Sequence, residues 1–415
     1  MFDRVLILSA SAGAGHLRAA EAVERAFQQT GAAREVRNID VLQHTNPLFR
    51  NLYSRTYLDM VNSMPEVLGW LYDRLDDPGQ DDRLLLTFEK LNARPFLKLL
   101  DAYQPEFVVC THMLPASLIS WLKSEDRIAA RQAIVVTDFD VHAMWLCRHY
   151  EQYFVAIDET RAHLEELGVP ASKVSVTGIP VDPVFATTKD PTAMRLKHGL
   201  DPDPSRKTIL ISAGGFGVGR VDTILAALGK LRHRAQVVPV CGRNRELFDD
   251  LSARAAAEPV DAGVKLKPVG FTTEMDELMA ASDLIVGKPG GLTTSEALAR
   301  GLVYVVVNPI PGQEERNSDH LLEEGAAIRC NNLPVLAHKI DRLLDDPARL
   351  AAMRANARRI GRPNSAHDVV QRLVALNNEP RPPAPPLKKS PTRVAKEAVE
   401  KLRRLPRKLG HRHDL

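Results

Sequence analysis

The chain has 415 residues, 44% of them apolar and 26% charged, with a formal charge of +3. That length supplies two domains of ordinary size, and its apolar runs, such as 5–8 and 303–307, fall far short of the roughly 18 residues that cross a bilayer. The cysteines Cys110, Cys147, Cys241 and Cys330 form no C-x-x-C pair and no histidine cluster at metal spacing, which argues against a disulfide framework and a zinc site and for a reducing cytoplasm.

The first apolar run leads into a glycine turn and a charged helix instead of a long apolar core, so it predicts a β-strand over 5–10 and not a signal peptide. Ser11-Ala12-Gly13-Ala14-Gly15-His16 follows, then a helix over 17–28. The glycines allow a tight turn, and a helix N-terminus offers unpaired N–H groups and partial positive charge to an anion. The spacing departs from G-x-G-x-x-G, and no acidic residue follows at a ribose-binding position, so dinucleotide binding is disfavoured. His16 stands at the mouth of the first strand, where a helix N-terminus favours the neutral imidazole that a general base needs. A histidine that caps the turn would occupy the same place.

Further strands are predicted over 35–41, 107–110, 133–137, 153–157 and 174–177. Residues 44–100 form an insertion rich in Phe49, Tyr53, Tyr57, Leu68, Trp70 and Tyr72, whose spacing suits a buried core and whose apolar excess also suits a lipid-facing surface. The strand over 133–137 ends in Asp138, Asp140, His142 and Trp145, which can position a hydroxyl acceptor and orient a base; Asp138 also suits a helix cap. Gly178-Ile179-Pro180-Val181 reads as a turn and is assigned no chemistry. Pro183, Pro191, Pro202 and Pro204 then mark a linker.

A second series of strands runs over 208–212, 236–241, 264–269, 284–286 and 304–308, so the chain reads as two similar α/β halves with ligands at the carboxyl ends of their strands. The turns bearing Gly214 and Gly215, and Gly242 and Arg243, line one sheet edge and can hold phosphates. Gly290, Gly291 and Thr293 open a helix as a diphosphate cradle, and Glu296 can accept a ribose diol. Thr293 and Glu296 also have the spacing of a capping box. Gln313 and Glu314, after the next strand, can bond hexose hydroxyls. The domains are expected at 1–182 and 207–377, joined by a linker over 183–206, with a last helix that crosses back and a Pro-rich basic tail over 378–415.

Residues 381–415 carry eleven Lys/Arg against three Asp/Glu, an excess of eight that leaves the other 380 residues at −5. Val394, Ala398, Leu402, Leu405 and Leu409 recur at helical spacing among the basic residues, the pattern of an interfacial helix on anionic lipid, kinked or ended at Pro406. A disordered solubilising tail has a similar composition. The excess of basic over acidic residues is confined to this tail and no nucleic-acid module is present, so nucleic acid is not expected as a partner.

Taken together, the glycine turn ending in His16, Val136-Thr137-Asp138 with His142 and Trp145, Val176-Thr177-Gly178-Ile179-Pro180, Lys288-Pro289-Gly290-Gly291-Leu292-Thr293 and Pro311-Gly312-Gln313-Glu314 resemble a known family. It comprises the monogalactosyldiacylglycerol synthases and the processive diacylglycerol glucosyltransferases, relatives of the peptidoglycan enzyme that adds N-acetylglucosamine to a lipid-linked precursor. The resemblance implies a GT-B fold of two Rossmann-like domains facing each other across a cleft. It also implies inversion at the anomeric carbon, no metal or other cofactor, and UDP held mainly by the second domain. By matching position, Glu296 would hold the ribose, Gly290, Gly291 and Thr293 the diphosphate, Gln313 and Glu314 the hexose, and Phe271 the uracil. His16, or Asp138 if the histidine only orients, would take the proton of the acceptor hydroxyl, beside His142 and Trp145. Ala14 departs from the family's usual run of glycines. The expected activity is hexose transfer from a UDP-sugar to diacylglycerol by an enzyme peripheral on the cytoplasmic face of the cell membrane. The alternatives are a UDP-sugar epimerase of the same fold and transfer to another lipid-linked acceptor.

Overall fold

The computed structural model describes residues 1–11, 13–46, 50, 76, 94–212, 221–259 and 261–379. The aromatic stretch from 51 to 75, the turn bearing Gly214 and Gly215, and the candidate lipid-binding tail lie outside the described residues. The described strands form two six-stranded parallel sheets. The first holds β1 (Phe2–Ser9), β2 (Ala33–Asp40), β3 (Phe107–Cys110), β4 (Arg131–Val135), β5 (Gln152–Val155) and β6 (Val174–Val176), ordered β2-β1-β3-β4-β5-β6. The second holds β7 (Lys207–Ser212), β8 (Ala235–Val240), β9 (Val264–Leu266), β10 (Leu284–Gly287), β11 (Val303–Val307) and β12 (Ala327–Cys330), ordered β12-β11-β10-β7-β8-β9. Parallel strands covered on both faces read as unbroken apolar runs, which is why β3 and β11 are legible in the sequence. The four-residue β12 escaped that reading because Arg329 interrupts it, its guanidinium turned to Glu315 at 3.2 Å.

The halves are alike in architecture but differ in strand order. The second has the arrangement of dinucleotide-binding sheets and the first that of flavodoxin-like sheets, so strand order reverses between β7 and β10 and between β1 and β3. Leu8 pairs with Cys110, and Ser212 with Gly287, which makes the loops at each switch point leave the sheet side by side. These are the places where such folds bind ligands.

Four helices matter for the site: α1 (Ala14–Thr30), α2 (Met113–Ser124), α3 (Gly291–Ala299) and α4 (Gln313–Glu323). Two more, α5 (Pro347–Ile360) and α6 (Ser365–Asn377), end the described chain. Val369, Val370 and Leu373 of α6 pack with Val5, Phe27 and Phe107, so the last helix rests on the first sheet. The Arg131 guanidinium donates to the carbonyls of Leu376 and Glu379, a cation at a helix C-terminus. The Gly178 turn docks the returning chain. At φ 84°, a Cβ there would lie 2.6 Å from Arg362 Cβ, while Ser365 Oγ donates to Ile179 O at 2.9 Å and accepts from Val181 N at 3.1 Å.

An apolar cluster also joins the halves: Phe139, Ile179 and Val181 pack with Leu292, Leu298 and Leu321, and the Phe139 ring stacks on His320 at 5.0 Å. All four cysteines are buried and free. Among the described residues, His198, Glu274 and Glu277 bring potential ligand atoms within 4.8 Å of one another, but Lys197 already bonds both carboxylates and Lys189 bonds Glu277. That cluster is an ion-pair network. No helix among the described residues is long and apolar enough to cross a membrane.

Candidate active site

Only four residues separate β1 from helix α1, which begins after Gly13 in extended conformation, and this brings His16 to the switch point beside the loop after β3. His16 Nδ1 lies 3.0 Å from the carbonyl oxygen of Thr111 and 2.8 Å from the hydroxyl of Thr137. A carbonyl only accepts, so Nδ1 carries the proton and Nε2 keeps the lone pair. Thr111 Oγ1 donates back to the His16 carbonyl at 3.0 Å, and the His112 ring meets the imidazole edge-on at 4.5 Å. Burial pushes the imidazole down to about 4, against the pull of the Thr111 bond, and leaves it neutral at neutral pH. The cause is burial, where the sequence argument had named the helix N-terminus.

His142 and Trp145, the residues expected beside the acceptor, are both buried next to the candidate base. Trp145 is 1% exposed within the first core, and its carbonyl accepts the Tyr153 hydroxyl at 2.9 Å. His142 is also buried, and its Nδ1 accepts from Met144 N at 3.1 Å. Trp145 forms a floor 6.4 Å from the His16 ring.

Asp138 caps no helix; the short turn that follows, Ala143–Trp145, is capped by His142. Its carboxyl is pushed up to about 6 by burial, against bonds from Gln313 and Asn317 and with repulsion from Asp140 added. Both amides belong to α4, on the opposite wall of the cleft. Asn317 spans it, accepting from Phe139 N and donating to Pro289 O, each at 3.0 Å. Arg316 adds ion pairs to Asp140 at 2.8 Å and to Asp76, from the insertion, at 3.0 Å.

On the opposite wall, α3 begins after Gly290 with no side-chain cap, so the capping-box alternative for Thr293 and Glu296 is not realised. A Cβ on Gly291 would lie 2.2 Å from the Thr137 carbonyl oxygen. Thr137 therefore touches the candidate base with its hydroxyl and the candidate diphosphate cradle with its carbonyl. Glu296 is 1% exposed and accepts from Arg18 of α1 at 2.6 Å, while its Oε2 is buried with no partner among the described residues. Glu314, second in α4, accepts from Ile310 N at 2.7 Å. Burial raises its carboxyl to about 7, with the Ile310 bond and Lys288 opposing and Asp138 adding repulsion. Farther along the sheet edge, Phe271 is 64% exposed beneath the Arg243 guanidinium at 5.5 Å, and Gly242 turns the chain at φ 57°.

Residues 16–181 match the family described as Monogalactosyldiacylglycerol (MGDG) synthase, and residues 196–360 match Glycosyl transferases group 1. The protein named Processive diacylglycerol beta-glucosyltransferase from Bacillus cereus (strain AH820) is 31% identical over 376 residues, 90% of this chain and 94% of its own. The chain belongs to this glycolipid glycosyltransferase family. A crystal structure of Acinetobacter baumannii MurG superposes with a TM-score of 0.57 at 17% identity, over 90% of this chain and 99% of its own. An S. aureus MnaA–UDP co-structure gives 0.59 at 13% identity, over 92% and 99%. The fold of this glycosyltransferase is GT-B.

Sequence reasoning missed Arg18, Thr111 and Asn317. Arg18 lies two residues beyond His16, but its partner is 278 residues away, and neither local pattern nor spacing signals such a pair. The raised Glu314 carboxyl has a kinetic consequence. Above about pH 7 it is ionised and accepts hydrogen bonds; below that it takes a proton. Accordingly, kcat/KM for the donor should fall as pH drops through about 7, and in Glu314→Gln the limb should move to about 6, the value of Asp138. A limb unmoved in the glutamine variant would remove Glu314 from donor binding.

Proposed function

We propose that this glycosyltransferase moves a hexose from a UDP-sugar onto the hydroxyl of diacylglycerol, with inversion, to make a membrane glycolipid. The observation that carries the reading is Thr137, which ties His16 to the start of α3 and so brings a neutral base against an anion cradle. The acceptor oxygen attacks the anomeric carbon, its proton passes to His16 Nε2, and the bond from that carbon to the diphosphate oxygen breaks, releasing UDP. Negative charge on the donor raises the His16 pKa toward neutrality as the complex forms, which strengthens the base when it is needed. The N–H groups opening α3, with Lys288 and Arg243, meet the charge that develops on the diphosphate, and the proposal requires no metal. Uracil lies on Phe271, the ribose on Glu296 and the hexose on Gln313 and Glu314.

The B. cereus relative's name supplies diacylglycerol and glucose, and the S. aureus co-structure supplies UDP. Glucose is accordingly the first donor to test. The basic tail is assigned to anionic headgroups on the cytoplasmic face, where UDP-sugars are available. Release of UDP from UDP-glucose should require vesicles that contain diacylglycerol, and should be faster when the vesicles are anionic. An epimerase would instead interconvert the UDP-sugar with no lipid present, and that result would overturn the reading.

A further inference from the structure

Glu296 is a nearly solvent-free carboxylate whose single described hydrogen bond comes from the other domain. Arg18 Nη2 reaches Oε1 at 2.6 Å, and Oε2 is buried without a partner. Other charged or titratable groups around it do not serve it. Asp276, on the helix Met275–Ala280, adds repulsion and is paired with Lys189 at 2.9 Å. Arg300, one turn on from Glu296, turns to Asp276 at 3.1 Å. The Tyr304 hydroxyl of β11 donates to Lys288 O at 2.6 Å. Arg18 is thus the cation that makes a charged Glu296 tolerable, and it approaches only when the two domains are together.

We propose that Arg18 is a positioning residue for the donor: from the first domain it fixes the Glu296 carboxylate so that Oε2 and the remaining lone pair of Oε1 receive the two ribose hydroxyls. A carboxylate oxygen accepts more than one hydrogen bond, so the ion pair and the diol are compatible. Donor grip by the second domain is then coupled to closure by the first. This inference rests on the reading of Glu296 as the ribose acceptor. Arg18 itself is 40% exposed, which leaves it free to move without disturbing either core.

Without Arg18, burial and Asp276 act on Glu296 unopposed and favour its protonated form, which is a poorer acceptor. The test is calorimetry of the full chain with UDP and with uridine, for native protein, Arg18→Gln, Arg18→Lys, Glu296→Gln and the Arg18→Gln/Glu296→Gln pair. Arg18→Gln should bind UDP about tenfold more weakly near neutral pH, the scale of one charge-assisted hydrogen bond discounted for exposure. The deficit should shrink as pH rises above neutrality, because Glu296 ionises again. Lysine should restore part of the affinity, since it keeps the charge but loses the planar fork. In the Glu296→Gln background the arginine change should add little. Equal or tighter UDP binding by Arg18→Gln would overturn the proposal. A loss seen with UDP but absent with uridine would also overturn it, by placing Arg18 on the phosphates. Failure of the native chain to bind UDP would instead bring down the functional reading, and this proposal with it.

Discussion

His16→Ala is expected to lower kcat by about 10²–10⁴-fold, the range that general-base assistance provides, while UDP affinity stays near native. The imidazole has the features such a base requires. Its Nδ1 proton is committed to the Thr111 carbonyl, its tautomer leaves Nε2 open, and burial keeps it neutral. Asp138 is the competitor, since at about 6 its carboxylate is intrinsically the stronger base in the unliganded cleft. Gln313 and Asn317 of the opposite wall favour its charged form, however, and a carboxylate so placed suits positioning better than proton transfer. Asp138→Asn should therefore cost less in kcat than His16→Ala. Near-native turnover of the alanine variant, measured by UDP release at saturating donor and acceptor, would move the base role to Asp138.

Gly291→Ala should reduce kcat/KM by about a hundredfold, the effect expected when reacting groups are displaced by about an ångström. The added methyl would start 2.2 Å from the Thr137 carbonyl oxygen and 3.0 Å from Ile179 Cδ1, so the walls of the cleft must separate. The cost would fall mainly on closure, because each sheet keeps a core away from this contact besides the cluster that joins the halves through Ile179 and Leu292. The expected signature is a native-like thermal unfolding profile, lost activity, and a larger radius of gyration by solution scattering. Native kcat/KM in the alanine variant would mean that α3 and Thr137 need not approach so closely in the reacting state.

Most of the architecture was readable because it depends on local pattern. Buried parallel strands announce themselves as apolar runs, and glycine turns announce the loops that leave their carboxyl ends. The six-stranded order of each sheet was less legible, because the first and second halves differ in where the order reverses and short runs do not encode their neighbours. At the site, His16, Asp138, Glu296 and Glu314 were nameable from residue type at strand ends. Their arrangement was not, because it comes from pairs brought together by the fold: Thr137 with His16 and Gly291, Asn317 with Phe139, Arg18 with Glu296. Trp145, near the same strand end as Asp138, could be named from its residue type, but its burial within the first core could not be read there.

The most direct test of the whole account is mass analysis of lipid recovered after incubating the purified chain with diacylglycerol vesicles and UDP-glucose. The expected product is a lipid heavier by one or more hexose residues, linked with the anomeric configuration opposite to that in the donor. Unmodified diacylglycerol with every UDP-hexose supplied, or a product with retained configuration, would contradict it.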